Sequence, residues 1–169
     1  EATMPSAFEN LCGPGKPLRP EPPDAAEFAG LLRSGLARLK DAESNALSLE
    51  SRFDLAYNAA HALSLAAMRW HGYRPDRQRF VVFQALVHTL GLAPEMARIL
   101  DKCHGQRNLV EYEGESEIDD RLLDELIFEL SASLGTTIVV VTHDLASIFD
   151  IGNKSIFLDV DLKAMTASG

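Results

Sequence analysis

S-L-E-S-R-F-D-L-A-Y-N-A-A-H-A-L-S-L-A-A-M-R-W, residues 48–70, reads as one long helix, and the rest of the chain arranges itself around it. Ser48 is a natural N-cap, and Phe53, Ala56, Tyr57, Ala60, Leu63 and Ala67 recur at steps of three and four, so they share one face. The many alanines on that face call for close approach by a neighbouring helix. A second, polar stripe carries Asp54, Asn58 and His61 on one side, beside the Tyr57 ring.

Working toward the N-terminus, Asp24 with Glu27 three residues later forms a capping box. The helix it opens has Phe28, Leu31, Leu32, Leu36 and Leu39 inward and Arg33, Arg38 and Lys40 outward. Before it, residues 1–23 hold Pro5, Pro14, Pro17, Pro20, Pro22 and Pro23 and read as an extended arm. Its Gly13-Pro14-Gly15-Lys16 lacks the spacing of a phosphate-binding loop, and Pro17 stands where such a loop needs Ser or Thr.

Working toward the C-terminus, Gly72 and Pro75 end the long helix, and Arg74, Asp76, Arg77 and Arg79 make a charged connection of the kind that is usually solvated surface. A third helix, about 80–90, is apolar nearly all round, with Val81, Val82, Phe83, Leu86 and Val87, and should be central. Gly91 stops it and Pro94 opens a fourth, which fades at Gly114. Along this helix Met96, Leu100, Cys103, Arg107 and Val110 form the apolar stripe, which places a guanidinium on the inner side. Such a cation needs partners. Either Arg107 snorkels to water and pairs with Glu111 one turn on, or a polar pocket is built around it.

A fifth helix spans about 118–134, with Leu122, Leu123, Leu126, Ile127 and Leu130 inward. The period then changes. Thr137-Ile138-Val139-Val140-Val141-Thr142 has the β-branched composition of a buried strand, His143-Asp144 opens a short helix, and residues 155–159 and 162–166 supply two more strands. The expected fold is mainly α: an up-down bundle of about five helices over 24–134, preceded by the arm and followed by a small β-α-β-β appendage over 135–169.

The 169 residues carry a net charge of -9, which argues against non-specific phosphate binding through overall charge but leaves room for a local basic pocket. Cys12 and Cys103 have neither metal-ligand nor redox spacing, and Cys103 lies on the apolar stripe as an inert thiol. The five histidines, His61, His71, His88, His104 and His143, show no paired ligand spacing, so no metal and no cofactor is expected. No apolar run reaches membrane-spanning length, and Glu1, Glu9 and the prolines stand where a signal peptide would place basic and then apolar residues. A cytoplasmic protein without membrane insertion is expected.

Two resemblances sharpen this reading. From Met4 to about Ile127 the chain resembles a HEPN-type bundle, the nucleotide-binding helical family of higher eukaryotes and prokaryotes. The R-F-D-L-A-Y-N-A-A-H-A-L pattern with its trailing G-Y-R-P, the helix order, and Arg107-Asn108 late in a long helix carry the likeness. Active members of that family place a His shortly after the Arg, face two such motifs across a homodimer, and cut RNA without metal. Here the fifth position after Arg107 is Tyr112, and a phenol with a pKa of about 10 is a poor base at neutral pH. The resemblance therefore implies a non-catalytic, homodimeric module that binds a nucleotide, RNA or protein partner, in a toxin–antitoxin or defence setting. Arg107, Asn108, Tyr112, Asp54, Asn58 and His61 would line its pocket, with the Asp54 carboxylate opposite the guanidinium. A weak ribonuclease using Arg107 and His104, or a fusion protein with no ligand, are the alternatives.

The second resemblance covers about 123–169, which is similar to the distal end of an ABC-transporter ATPase, with His143 at the switch-histidine position. The Walker A, Walker B and signature motifs are absent, so the likeness implies a fused fragment without ATPase activity.

Overall fold

The computed structural model describes residues 7–114 and 118–138. Among these there are seven helices, a closing π-turn and one two-stranded sheet: α1 (Ala7–Leu11), β1 (Leu18–Pro20), α2 (Ala25–Ala42), α3 (Leu49–Trp70), β2 (Tyr73–Pro75), α4 (Val81–Gln84), α5 (Leu86–Thr89), α6 (Pro94–Glu113) and α7 (Asp120–Glu129). The fold is mainly α, as the sequence periodicity requires.

The two principal helices start where their caps dictate. The Asp24 carboxylate accepts from the Glu27 amide at 2.7 Å, and the Ser48 hydroxyl accepts from the Ser51 amide at 3.2 Å. Between them the chain reverses, and the Arg52 Nε donates to the carbonyl of Ala42, the last residue of α2, at 2.8 Å, which satisfies one orphan group of that helix. The alanine-rich face of α3 draws α2 close: a Cβ on Gly35 would sit 2.8 Å from Leu63 Cδ2. All six inner positions read from the sequence, Phe53 through Ala67, are buried.

The region from Phe80 to Leu90 is not one helix. It breaks at Ala85, which closes α4 and opens α5 with φ -80° and ψ -8°. Val81, Val82, Phe83 and Leu86 are buried in the core, while Val87 is exposed, so the continuous central helix is corrected to two short turns that each bury one face.

The Pro-rich N-terminal segment docks onto the bundle. Leu18 pairs with Pro75 and Pro20 with Tyr73 in an antiparallel register, and Phe8 stacks on the Tyr73 ring with centroids 4.8 Å apart. A segment rich in proline has few N–H donors but keeps its carbonyls, and these must find partners. Arg69, in the last turn of α3 and 1% exposed, supplies them. Its guanidinium donates to the carbonyls of Pro22 at 2.7 Å and Glu21 at 3.0 Å, and to the Glu27 carboxylate at 3.0 Å. Arg74 bonds both Glu21 and Glu27 from the other side. The hydrogen bond from Arg74 holds Glu21 below the ordinary carboxylate range; at Glu27 burial acts upward, but the bonds from Arg74 and Arg69 outweigh it. Among the described residues the deeply buried cation is therefore Arg69.

At the other end, α7 is capped by Asp119 and buries Leu122, Leu123 and Leu126. It continues through a π-turn, Leu130–Leu134, and remains helical to Ile138, which is buried. A Cβ at position 135 would lie 2.9 Å from the Leu130 carbonyl oxygen, so glycine is what lets the wider turn close. The strand expected from Thr137 does not begin there: Thr137 and Ile138 extend the helix because Ile138 finds cover in the bundle core. The remaining strands of the expected appendage, the short helix after it, and His143 lie outside the described residues. No helix among the described residues is long and apolar enough to cross a membrane.

Candidate functional site

Tyr57 of α3 meets His104 and Arg107 of α6 where the middle of α3 faces the second half of α6, with Phe83 of α4 on one side. Tyr57, projecting from the inner face of α3, is the centre. Its hydroxyl lies 2.8 Å from His104 Nδ1, and its ring is stacked at 22° to the imidazole. The Arg107 guanidinium carbon stands 4.8 Å from the Tyr57 ring centroid, a cation–π arrangement. His104 and Arg107 are one turn apart on α6, so one phenol engages both.

Arg107 closes the pair with Glu111 that helical spacing offers. Its Nε donates to Glu111 at 3.1 Å, and its side chain stays 25% exposed. The inward side of the residue is taken by the face of Tyr57. Asp54 is exposed and forms no ion pair with Arg107; Asn58 donates instead to the Asp54 main-chain carbonyl at 2.8 Å. Asn108 is partly buried beside Arg107, whereas Tyr112, 84% exposed, stands well out from the cluster. Beyond Arg107 the apolar stripe loses its cover, and Leu109 and Val110 are exposed.

His61 sits one turn after Tyr57, edge-on to Phe83 with centroids 6.0 Å apart. Its Nε2 is enclosed and has no hydrogen-bond partner among the described residues. Burial, reinforced by the charges of Arg79 and Arg107, pulls its pKa down to about 4, against the opposing effect of the Arg79 main chain. His61 is therefore a neutral imidazole at physiological pH. Burial pushes the Tyr57 phenol upward, with the Arg107 charge working against it, so Tyr57 also stays neutral. The direction of this bond follows the His104 tautomer: a phenol donating to Nδ1 leaves the ring proton on Nε2, whereas an Nδ1–H donating to the phenol oxygen leaves Nε2 an acceptor.

Three residues that the sequence did not assign to the site complete it. Phe83 is fully buried and props Tyr57 edge-on at 5.7 Å; Phe80 is partly buried, 5.6 Å from Phe83 and 4.7 Å from the His104 ring. Arg79 precedes Phe80 and projects its charge onto both His61 and Tyr57. No periodic signal links these positions to α6, because they arrive from a separate element through tertiary packing.

Chemically the cluster offers a cation over an aromatic face, an imidazole and a partly open aromatic ring. Cys103, one position before His104, is buried, and burial pushes its thiol up to about 12, with Glu125 adding to the effect. It is no nucleophile. No group of three or more His, Cys, Asp or Glu side chains able to hold a metal ion occurs among the described residues.

No protein-family model matches the chain, and no curated protein or solved structure matches it either. The site has to be interpreted from its own geometry.

Proposed function

We propose that the chain is a non-catalytic, HEPN-like binding module, cytoplasmic and homodimeric, that takes a nucleotide or an RNA end at the Arg107 cluster in a toxin–antitoxin or defence setting. The observation that carries this reading is the guanidinium held against Tyr57 and still partly open to solvent. A fork anchored on one side by an aromatic face is preorganised to meet a phosphate on the other. Asn108 and His104 supply further polar groups beside it, and His61 and Tyr57 keep the interior side neutral. The C-terminal stretch is a fused fragment similar to an ABC-transporter ATPase, with no hydrolytic part in the activity.

Arg107→Ala is expected to weaken binding of nucleotide or short RNA by about ten-fold to a hundred-fold, as loss of a charge-assisted contact does. Isothermal titration reads this directly, and unchanged affinity would remove the pocket assignment. Light scattering at micromolar concentration checks the dimer; a monomeric mass would exclude it.

The Tyr57–His104 bond favours one second reading, a weak metal-independent ribonuclease. In the opposite tautomer, with His104 Nδ1 donating to the phenol oxygen, Nε2 becomes a base able to take a 2′-hydroxyl proton. Cleavage that survives a chelator and vanishes in His104→Ala would establish that reading over the binding module.

A further inference from the structure

The N-terminal segment grips one stretch of the chain at both of its ends. At the first end β1 pairs with β2, and the Pro17 carbonyl accepts from the Asp76 amide at 2.9 Å. At the second, the Phe8 ring, stacked on Tyr73 and His71, meets the His88 ring of α5 edge-on with centroids 6.2 Å apart. Between the two grips lies α4, a single turn that has no side-chain cap, followed directly by α5, which has none either. One-turn helices do not hold themselves, so their place is set by what they pack against. This is the stretch that brings Phe80 to the His104 ring at 4.7 Å and Phe83 to the Tyr57 and His61 rings.

The grip is uneven along the segment. Arg69 holds the Glu21 and Pro22 carbonyls from its sealed position, and Pro22 and Pro23 stiffen the chain there. Ahead of that clamp, a three-residue ladder that is marginal by itself is kept in place by the burial of Leu18 and Phe8. We propose that residues 8–20 are a releasable strap, hinged at the Arg69 clamp, whose docking keeps Phe80 on His104 and Phe83 on Tyr57. When the strap leaves, β2 and the two short helices lose both grips together, and the His104 ring loses the phenyl ring beside it. Val81, Val82 and Phe83 are themselves buried, so release loosens the site without unfolding the bundle. Phe8 stacks at the C-cap of α3, about 20 Å along that helix from Tyr57, so its influence runs through the chain between β2 and α5. As regulation of the site this rests on the binding-module reading above; the coupling itself belongs to the free chain, so the two can fail separately.

The test is native-state amide exchange on the full chain, followed by NMR in urea below the unfolding midpoint. Amides of β1, β2 and α4 are expected to open with one common free energy, smaller than that of the middle of α3. If the α4 amides open only with α3 while β1 and β2 open by themselves, the coupling is overturned. Phe8→Ala should favour the released state by about a hundred-fold, as truncation of a buried ring does. The Tyr57 and His104 ring resonances are then expected to move in the direction that Phe80→Leu moves them. Phe8→Leu, which keeps most of the volume, should move them less, and it carries the comparison if circular dichroism shows Phe8→Ala unfolded. Unchanged Tyr57 and His104 signals in a variant whose Tyr73 ring has been freed would make strap and site independent. Adding AMP to the unmutated chain separates the two readings: no AMP response together with a common opening free energy removes the nucleotide site and leaves the strap.

Discussion

Replacing Arg69 by methionine is expected to destabilise the chain by about 3–5 kcal/mol, the range seen when one partner of a buried charged network is removed. Methionine restores much of the volume, so the loss isolates the polar role. The guanidinium is 1% exposed and holds the Glu21 and Pro22 carbonyls and the Glu27 carboxylate together. Without it these acceptors are left facing an apolar side chain, and the segment through β1 loses its attachment to the end of α3. Arg74→Gln should cost much less, because Arg74 is 27% exposed and water can take over its part. Urea denaturation measures both; a loss for Arg69→Met no larger than for Arg74→Gln would mean that the network contributes no more than a surface ion pair. Amide exchange should speed up first at residues 18–23 and 72–76, where the sheet and its flanking bonds depend on this clamp.

Phe83→Ala is expected to lose about 3–5 kcal/mol as well, by the transfer and cavity terms that follow truncation of a fully buried aromatic ring. Its consequence for function is the more informative part. Phe83 touches Tyr57, His61 and Phe80, so it is the common support of the aromatic side chains of the candidate site. Phe83→Leu keeps most of the volume and should stay folded, with a cost below about 1.5 kcal/mol. Even so, a leucine has no ring edge to set the Tyr57 plane, and affinity for a nucleotide probe should fall further than stability does. Equal affinity in Phe83→Leu and the unmutated chain would show that the aromatic stack is core packing and nothing more.

Local rules were sufficient for the long elements. Asp24 and Ser48 cap the helices they were expected to cap, Pro94 opens α6, Gly114 ends it in the left-handed region, and the inner face of α3 is the one its period assigns. These are interactions within a few residues, and the sequence contains both partners of each. The same rules misplaced the strand start at Thr137 and joined α4 to α5. A β-branched run and an all-apolar run state only that they want burial, and the bundle decides in which backbone form they obtain it.

The site shows the same division. Sequence alone located Arg107 on an inner stripe, named Glu111 as one partner, and put His61 and Tyr57 on a neighbouring helix, all of which follows from helical spacing. It could not tell that Asp54 would stay in water, that Tyr112 would stand clear, or that Phe80 would arrive beside His104, because these depend on how the elements pack. Nor could it choose between two arginines. Arg69 and Arg107 both lie in the second half of long helices with apolar neighbours, yet one is sealed and the other partly open. The depth of a side chain is set by what its helix packs against: the end of α3 is covered by β1, β2 and the Pro-rich segment, whereas the end of α6 runs past its neighbours. Helices, caps and faces were thus determined by the chain itself; which cation is buried, and which ring lies against the other, was decided only when the elements met.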